Sequence, residues 1–449
     1  VNADDELVDA DGNKTADVVL TVRQEAAPRI EDNRAGDSLS IIMINQKLNS
    51  MATFDTSDNM RNWSGVTLWE ATDPFVKQHP EAVGRVRSVK FSMFNLKPGE
   101  VLPKEVKNLK YLETFSLASN DNNQIRNMEL GEDICELAHL KNLAIQAYGL
   151  VKLPANFKKL GKTLENLNLV SNNFNRLSDI TKVVNARNFP HLHTLTLYAQ
   201  RRTDVCINMS GLSKNGDDNY VYNNYPIGMY GNISSDYTER QAFLSLLTWD
   251  NLRALELSYC FLEGELPSDE DMDKALEAAG KPTRYTAADF STNKADWQDK
   301  FVGDTCKWLL SKWDNPITCK QKDGTIVYED VYPTQVPRVL PKCRQLSLNL
   351  NFFTGAVPKW LLFHPRLVMW SPTVMLFHQT DRGFDTAGNA AGFSNMAEDT
   401  YSAEYYYGTK DPGSKWEVPG VAYPLYYRAF VAAGDVDEAA LRAKYKRSK

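Results

Sequence analysis

The chain has 449 residues, 57 acidic side chains against 51 basic ones, a formal net charge of −6 and 43% hydrophobic residues. That composition excludes bulk disorder and collagen-like architecture, and the mild acidity argues against a duplex nucleic-acid binder, whose phosphate-facing surface must be basic. No window approaches the ~18–20 consecutive apolar residues of a membrane span, and because a single compact core stops growing near roughly 250–300 residues, a conventional fold of this length would divide into two or three globules.

The first 30 residues carry a hairpin-turn signal, Asp11-Gly12-Asn13, followed by the alternating run VVLTVRQEAA from Val18. This predicts the last strands of a small β-sandwich. Asp9-x-Asp11-x-Asn13 has the spacing of a calcium-loop start, but Lys14 stands where the loop needs glycine and Leu20 where it needs a bidentate glutamate. No calcium site is expected there. The chain begins at Val1 with no charged and apolar leader after it, and reads as trimmed.

Residues 31–85 are expected to form a cap, and from Val86 a repeat takes over. L-x-x-L-x-L stretches recur as VRSVKF (Val86), LETFSL (Leu112), LKNLAI (Leu140), LENLNL (Leu164), LHTLTL (Leu192), LRALEL (Leu252) and CRQLSL (Cys343). Their starts are separated by 26, 28, 24, 28, 60 and 91 residues; the first four intervals fit a repeat of about 20–29 residues, and the last two fit the same repeat carrying insertions. Each x-L-x-L-x segment predicts a short strand whose leucines turn inward while their neighbours turn outward. Asn120, Asn172 and Asn351 recur just beyond the strand, where an amide can satisfy turn backbone, and Cys260 holds that place in its own repeat. Cys260 and Cys343 are therefore expected to be packing residues rather than catalytic thiols. Only Cys306 and Cys319 are close enough in sequence to raise the question of a disulfide, which stays open.

Two insertions are predicted, at about 201–245 and 268–340. The first holds Tyr220, Tyr222, Tyr225 and Tyr230 among Asn, Asp and Gly; the second holds DEDMDKALEAAG, acidic at its start and ending in Gly280, and WQDKFVGDTCKWLLSKW, both with helical spacing. Residues 371–449 show no repeat and are expected to cap the open end of the core. Within them, 401–430 concentrates nine aromatic side chains, including Tyr405, Tyr406, Tyr407 and Trp416. Tyrosine and tryptophan stack on sugars or anchor partners, and suit equally a cap that covers a core end while facing water.

LRALELSYCFLEGELP and CRQLSLNLNFFTGAVPKWL resemble the plant-type leucine-rich repeat, with Gly264, Pro267, Gly355 and Pro358 matching its x-x-G-x-h-P element. Trp63-Ser-Gly-Val66, Gly84-Arg-Val86 and Leu102-Pro103 resemble the N-terminal cap and first repeats of that class. The cap cysteines usual in the class are missing, so packing of Trp63, Val66, Leu68 and Trp69 must hold it. The resemblance covers roughly residues 60–370 and implies an α/β solenoid, a right-handed superhelix of short parallel strands with two insertions and a C-terminal cap. The strand-rich start is similar to BACON-type domains of bacterial surface lipoproteins. That implies an exported chain, anchored at the outer membrane or secreted, and acting as a monomer.

The chemistry legible in the residues is that of recognition. There is no G-x-S-x-G, H-E-x-x-H, Walker or dinucleotide motif, so neither catalysis nor a cofactor is expected. His191 and His193 flank Leu192 and could share a side, but a metal site needs more ligands than they supply. Of 21 positions alternating with the buried strand residues, only Lys90 and Glu256 are charged. The expected concave face, with Lys90, Asn142, Gln146, Asn166, Asn168, Thr196, Tyr198, Glu256, Gln345 and Asn349 as its candidate binding residues, is thus rich in hydroxyls and amides. Such a face suits a polypeptide or a neutral glycan, and the same short polar groups also make good cross-strand ladders. A protein or host-surface partner is the first expectation. Glycan capture, with Tyr220, Tyr222, Tyr225 and Trp416 as stacking groups, is the alternative.

Overall fold

The computed structural model describes residues 30–94, 96, 100–119, 128–200, 206–207, 225–226, 229, 231–258, 260, 262–286, 289, 317–320, 326–331, 333–343, 345–348, 351–354, 358–362 and 364. The expected N-terminal β-sandwich strands, the Asp9-Asp11-Asn13 segment, Asn120, the WQDKFVGDTCKWLLSKW helix and the aromatic C-terminal cap lie outside them.

All seven L-x-x-L-x-L segments are strands of one sheet. Its members are β1 (Val66–Leu68), β2 (Val86–Ser92), β3 (Thr114–Ala118), β4 (Asn142–Gln146), β5 (Asn166–Asn168), β6 (Thr194–Thr196), β9 (Ala254–Glu256) and β13 (Gln345–Ser347), in that spatial order. β1 runs antiparallel to β2 and the rest are parallel, in register from Thr114 to Asn142 to Asn166 to Thr194 to Ala254 to Gln345. Parallel strands need a crossover between them, and here each crossover is one repeat. This is a leucine-rich-repeat α/β solenoid.

Between β6 and β9 lie β7 (Cys206–Ile207) and β8 (Tyr225–Pro226), an antiparallel pair. β10 (Glu263–Glu265) follows β9 and pairs in parallel with β14 (Phe352–Thr354); β11 (Ile317–Lys320) and β12 (Ile326–Val331) form another antiparallel pair. The β10–β14 pair contains the Gly264 element. Gly264 has φ +110°, and a Cβ there would sit 2.6 Å from Asn232 Oδ1, so only glycine lets the strand pass this close to the 232–234 turn.

Opposite the sheet, short 3-10 turns at Lys104–Asn108, Asp133–Glu136 and Phe157–Lys162 pack in succession. The helices among the described residues are α1 (Arg34–Leu48), α2 (Pro74–Gln78), α3 (Leu177–Thr181), α4 (Tyr237–Leu247), α5 (Asp269–Ala278) and α6 (Lys359–Leu362). α4 starts inside the stretch expected from the sequence to be the first insertion, about 201–245. Phe243, Leu246 and Leu247 are fully buried in the repeat core, and Glu239, also buried, accepts bonds from the Ser178 hydroxyl and amide of α3. α5 matches its acidic N-terminus: Ser268 and Asp271 form a reciprocal capping box, and Gly280 follows with φ +67°.

The cap is closed by more than the four expected side chains. Trp63, Val66, Leu68 and Trp69 are all buried, and Trp63 Nε1 and Trp69 Nε1 donate to the Asp55 and Tyr111 carbonyls at 2.8 Å. Beneath them, Asp37 of α1 is 1% exposed and Arg85 is 5% exposed. Arg85 Nε and Nη2 donate to the two Asp37 oxygens at 2.9 and 2.8 Å, and the Val86 amide donates to Asp37 Oδ2 at 3.0 Å. Burial works against the Arg85 charge, but the bonds to Asp37 hold its pKa above the usual guanidinium value. A bidentate buried pair, with the Val86 amide, thus ties α1 to the start of β2.

Candidate binding surface

The seven parallel strands carry side chains in rows, and the rows decide which residues a ligand could meet. Residues of one row sit side by side at the strand spacing of about 4.8 Å. The first row is Ser88, Thr114, Asn142, Asn166, Thr194, Ala254 and Gln345; the second is Lys90, Ser116, Ala144, Asn168, Thr196, Glu256 and Ser347; the third begins Ser92, Ala118, Gln146.

Three predicted binding amides are engaged by the protein itself. Asn142 Nδ2 donates to Thr114 Oγ1 at 3.0 Å and Asn166 Nδ2 donates to Asn142 Oδ1 at 2.7 Å, making a cross-strand ladder. Asn168 Oδ1 accepts the Val170 amide at 3.0 Å. Lys90 is exposed, and Gln146, Thr196, Tyr198 and Gln345 are partly exposed on the same face. Ser258 and Ser347, which alternation puts on the exposed face, are buried instead. Ser347 lies on β13 and Ser258 two residues beyond β9, the strands bracketed by the long excursions, so the face narrows beyond β6. Asn349, Tyr220, Tyr222 and Trp416 lie outside the described residues; Tyr225 is placed in β8 by its backbone alone.

Glu256 occupies the margin where the face closes. It is half-buried, and burial raises its pKa above the usual glutamate value. Its register neighbours, Thr196 and Ser347, are neutral, and no hydrogen bond or ion pair engages its carboxylate among the described residues. Ser347 Oγ is buried without a hydrogen-bond partner. A half-desolvated carboxylate is an arrangement that a cationic ligand would complete.

The far ends of the strands are structural. Met93, Ala147, Ser171 and Ala199 each adopt a left-handed φ between 51° and 59° and turn the chain inward. Asn172 Nδ2 then donates to the Ile145 and Leu169 carbonyls, and its Oδ1 accepts the Leu150 amide at 3.1 Å. Asn351 repeats the pattern with Leu257, Leu348 and Leu262. Cys260 bonds the Leu197 carbonyl through its thiol, and burial pushes that thiol up to about 12, which disqualifies it as a nucleophile. Cys343 is likewise buried. Sequence reasoning missed two members of this column: Gln200, whose Nε2 bonds the Leu169 and Leu197 carbonyls, and Tyr148, whose ring packs on Phe94 at 5.4 Å.

Asp269 and Asp271 of α5 are occupied in the fold. Asp269 accepts the Trp360 amide at 2.9 Å, and Asp271 accepts from Ser268 and pairs with Arg240 at 2.6 Å. No three metal-ligating side chains are gathered among the described residues, and no helix there is long and apolar enough to cross a membrane.

A second feature was legible and overlooked. The second residue of every L-x-x-L-x-L segment is ionisable: Arg87, Glu113, Lys141, Glu165, His193, Arg253 and Arg344. The first six border the edge from which the strands start; Arg344 is outside the described residues. Arg87 pairs with Glu113 at 2.6 Å and Lys141 with Glu165 at 3.0 Å. His191 and His193 do share a side, lining one cleft of this edge. Burial, then the nearby Arg253 charge, lowers the His193 pKa below its usual value.

No protein-family profile matches the chain, and no curated protein sequence does. Among solved structures it is similar to a plant ice-binding protein, at 15% identity over 74% of this chain and 84% of that one, with a TM-score of 0.33. It is also similar to a leucine-rich-repeat protein of Leptospira interrogans, at 16% identity over 62% of this chain and 53% of the other, TM-score 0.27. A leucine-rich-repeat protein of Bacteroides eggerthii matches at 10% identity over 43% of this chain and 52% of its own, TM-score 0.21. Likenesses of this degree leave the question of a ligand to the chain's own residues.

Proposed function

We propose that the chain is a non-catalytic recognition protein that binds a polypeptide across the open face of the sheet, with Glu256 receiving a basic side chain of the partner. The observation that carries this reading is the half-buried Glu256 carboxylate, which no hydrogen bond or ion pair engages among the described residues, on a face whose other charge, Lys90, stands at the far end of the row. A lysine or arginine placed there restores the stabilisation that burial removes from the carboxylate, and charge-assisted bonds of this kind are strong. Lys90, at the far end of the same row, sets the polarity of the bound segment. Export to a bacterial cell surface belongs to the same proposal; protease treatment of intact cells carrying the full gene tests it.

The binding test is selection of displayed peptides against the full chain. Enrichment of peptides containing Lys or Arg, with affinity falling at least about tenfold on Glu256→Gln, is the expected result. Peptides indifferent to Glu256 remove its role. A glycan array that binds while no peptide does replaces the reading with glycan capture.

A further inference from the structure

The second row of the open face runs Lys90, Ser116, Ala144, Asn168, Thr196 and Glu256, in unbroken register across β2, β3, β4, β5, β6 and β9. Its two ends carry opposite charges, and the positions between them are neutral, short and partly exposed. Lys90 is exposed and Glu256 half-buried, and among the described residues no hydrogen bond or ion pair engages either charged group. Six strands in register leave five spacings, so at about 4.8 Å each the two charges stand about 24 Å apart along the row, too far to pair with each other. At roughly 3.3 Å per residue, an extended polypeptide covers that span in about seven residues.

The inner positions select the conformation of what lies on them. An extended segment brings backbone amides and carbonyls that need partners, and the Ser116 and Thr196 hydroxyls and the Asn168 Nδ2 can meet them. A helix satisfies its own backbone and docks through apolar anchors in an apolar groove; Ser116, Ala144, Asn168 and Thr196 offer none. On β4, Ala144 sits between the longer Asn142 and Gln146, so the second row is the floor of the face there.

We propose that this row measures its ligand: the partner is an extended segment with an acidic side chain at Lys90 and a basic one at Glu256, about six to eight positions apart in sequence. This rests on the polypeptide reading and adds to it the length of the bound segment and the charge at its other end. Charges set closer together cannot both be matched, and a segment with like charges at its two ends meets repulsion at one of them.

The test is selection on the full chain from displayed peptides twice the length of that span, neutral and polar except for one Glu and one Lys whose separation and order vary. Enrichment is expected to peak at a separation of about six to eight. Lys90→Gln is expected to flatten the peak and to weaken the best peptides about threefold, as for one exposed ion pair. Peptides with Lys at both positions are expected to bind Lys90→Glu better than wild type. Lys90 is exposed, so both variants should keep the wild-type melting temperature, which is measured alongside. Peptides that depend on Glu256 but bind at any separation, or that ignore Lys90, overturn the proposal and leave the polypeptide reading standing. Binding that ignores Glu256, or no binding, removes both.

Discussion

The two ends of the strands meet the same difficulty, backbone groups left over where a parallel strand stops, and resolve it in opposite ways. At the starting edge, carbonyls such as Glu165 O accept two amides each, so the side chains of Glu165 and His193 are left to face outward. At the finishing edge, side chains do that work: Asn172, Gln200 and Asn351 are buried and spent on carbonyls beneath the turns. Where the backbone serves itself, chemistry remains available for a ligand. Where side chains serve the backbone, little does.

This difference sets the size of the effect expected from each substitution. The largest is at the start of β2, where the buried Asp37–Arg85 pair lies. Asp37→Ala leaves the buried Arg85 guanidinium with only the half-exposed Asp32 carboxylate at 2.9 Å, and urea unfolding is expected to show a loss of about 3 kcal/mol. A loss under about 1 kcal/mol would mean that the cap does not depend on this pair. Next, at the finishing edge, Asn172→Ala strips the Leu150 amide and two carbonyls of their partner and is expected to cost about 2–3 kcal/mol by the same measurement.

On the face between the edges the effect changes sign. The pKa of Glu256 is raised in the folded chain, so the native state holds its proton more tightly than the unfolded chain does. The resulting stabilisation is fully present below the unfolded-state glutamate pKa and is lost as pH rises through the folded value. Glu256→Gln is therefore expected to be more stable relative to wild type at pH 7 than at pH 4, by a margin that paired melting curves resolve. A constant difference across that range would show that burial of Glu256 carries no linkage. The smallest effect is at the open part of the starting edge: Lys141→Ala removes an exposed ion pair with Glu165 and is expected to stay within about 0.5 kcal/mol of wild type.

The strands were legible because a leucine at every second position has one physical meaning, a pleated segment with one buried face. Glu256 was legible as one of two charges on that face; its half-burial was not, because it depends on residues far away in sequence. Gln200 and Tyr148 escaped because the column was sought as asparagine or a small polar group, although any side chain that reaches the carbonyls or packs in the column will serve. The Asp37–Arg85 pair spans 48 residues, and no local pattern announces it. The starting-edge charges were in plain view in the motif, but attention to the leucines passed over the residue between them.

The register between β6 and β9, and between β9 and β13, holds across 60 and 91 residues, against 28 between Thr114 and Asn142. Loop-closure entropy grows only as the logarithm of length, so these excursions cost about 0.7 and about 1 kcal/mol more than an ordinary repeat. Equilibrium stability hardly registers such lengthening, but folding time does, because distant partners must meet before their contacts reward them. The order of assembly is then written into the spacing: β2 to β6 condense first from near neighbours, and β9 and β13 add to a template already formed. Glu256, carried on β9, is expected to be completed late.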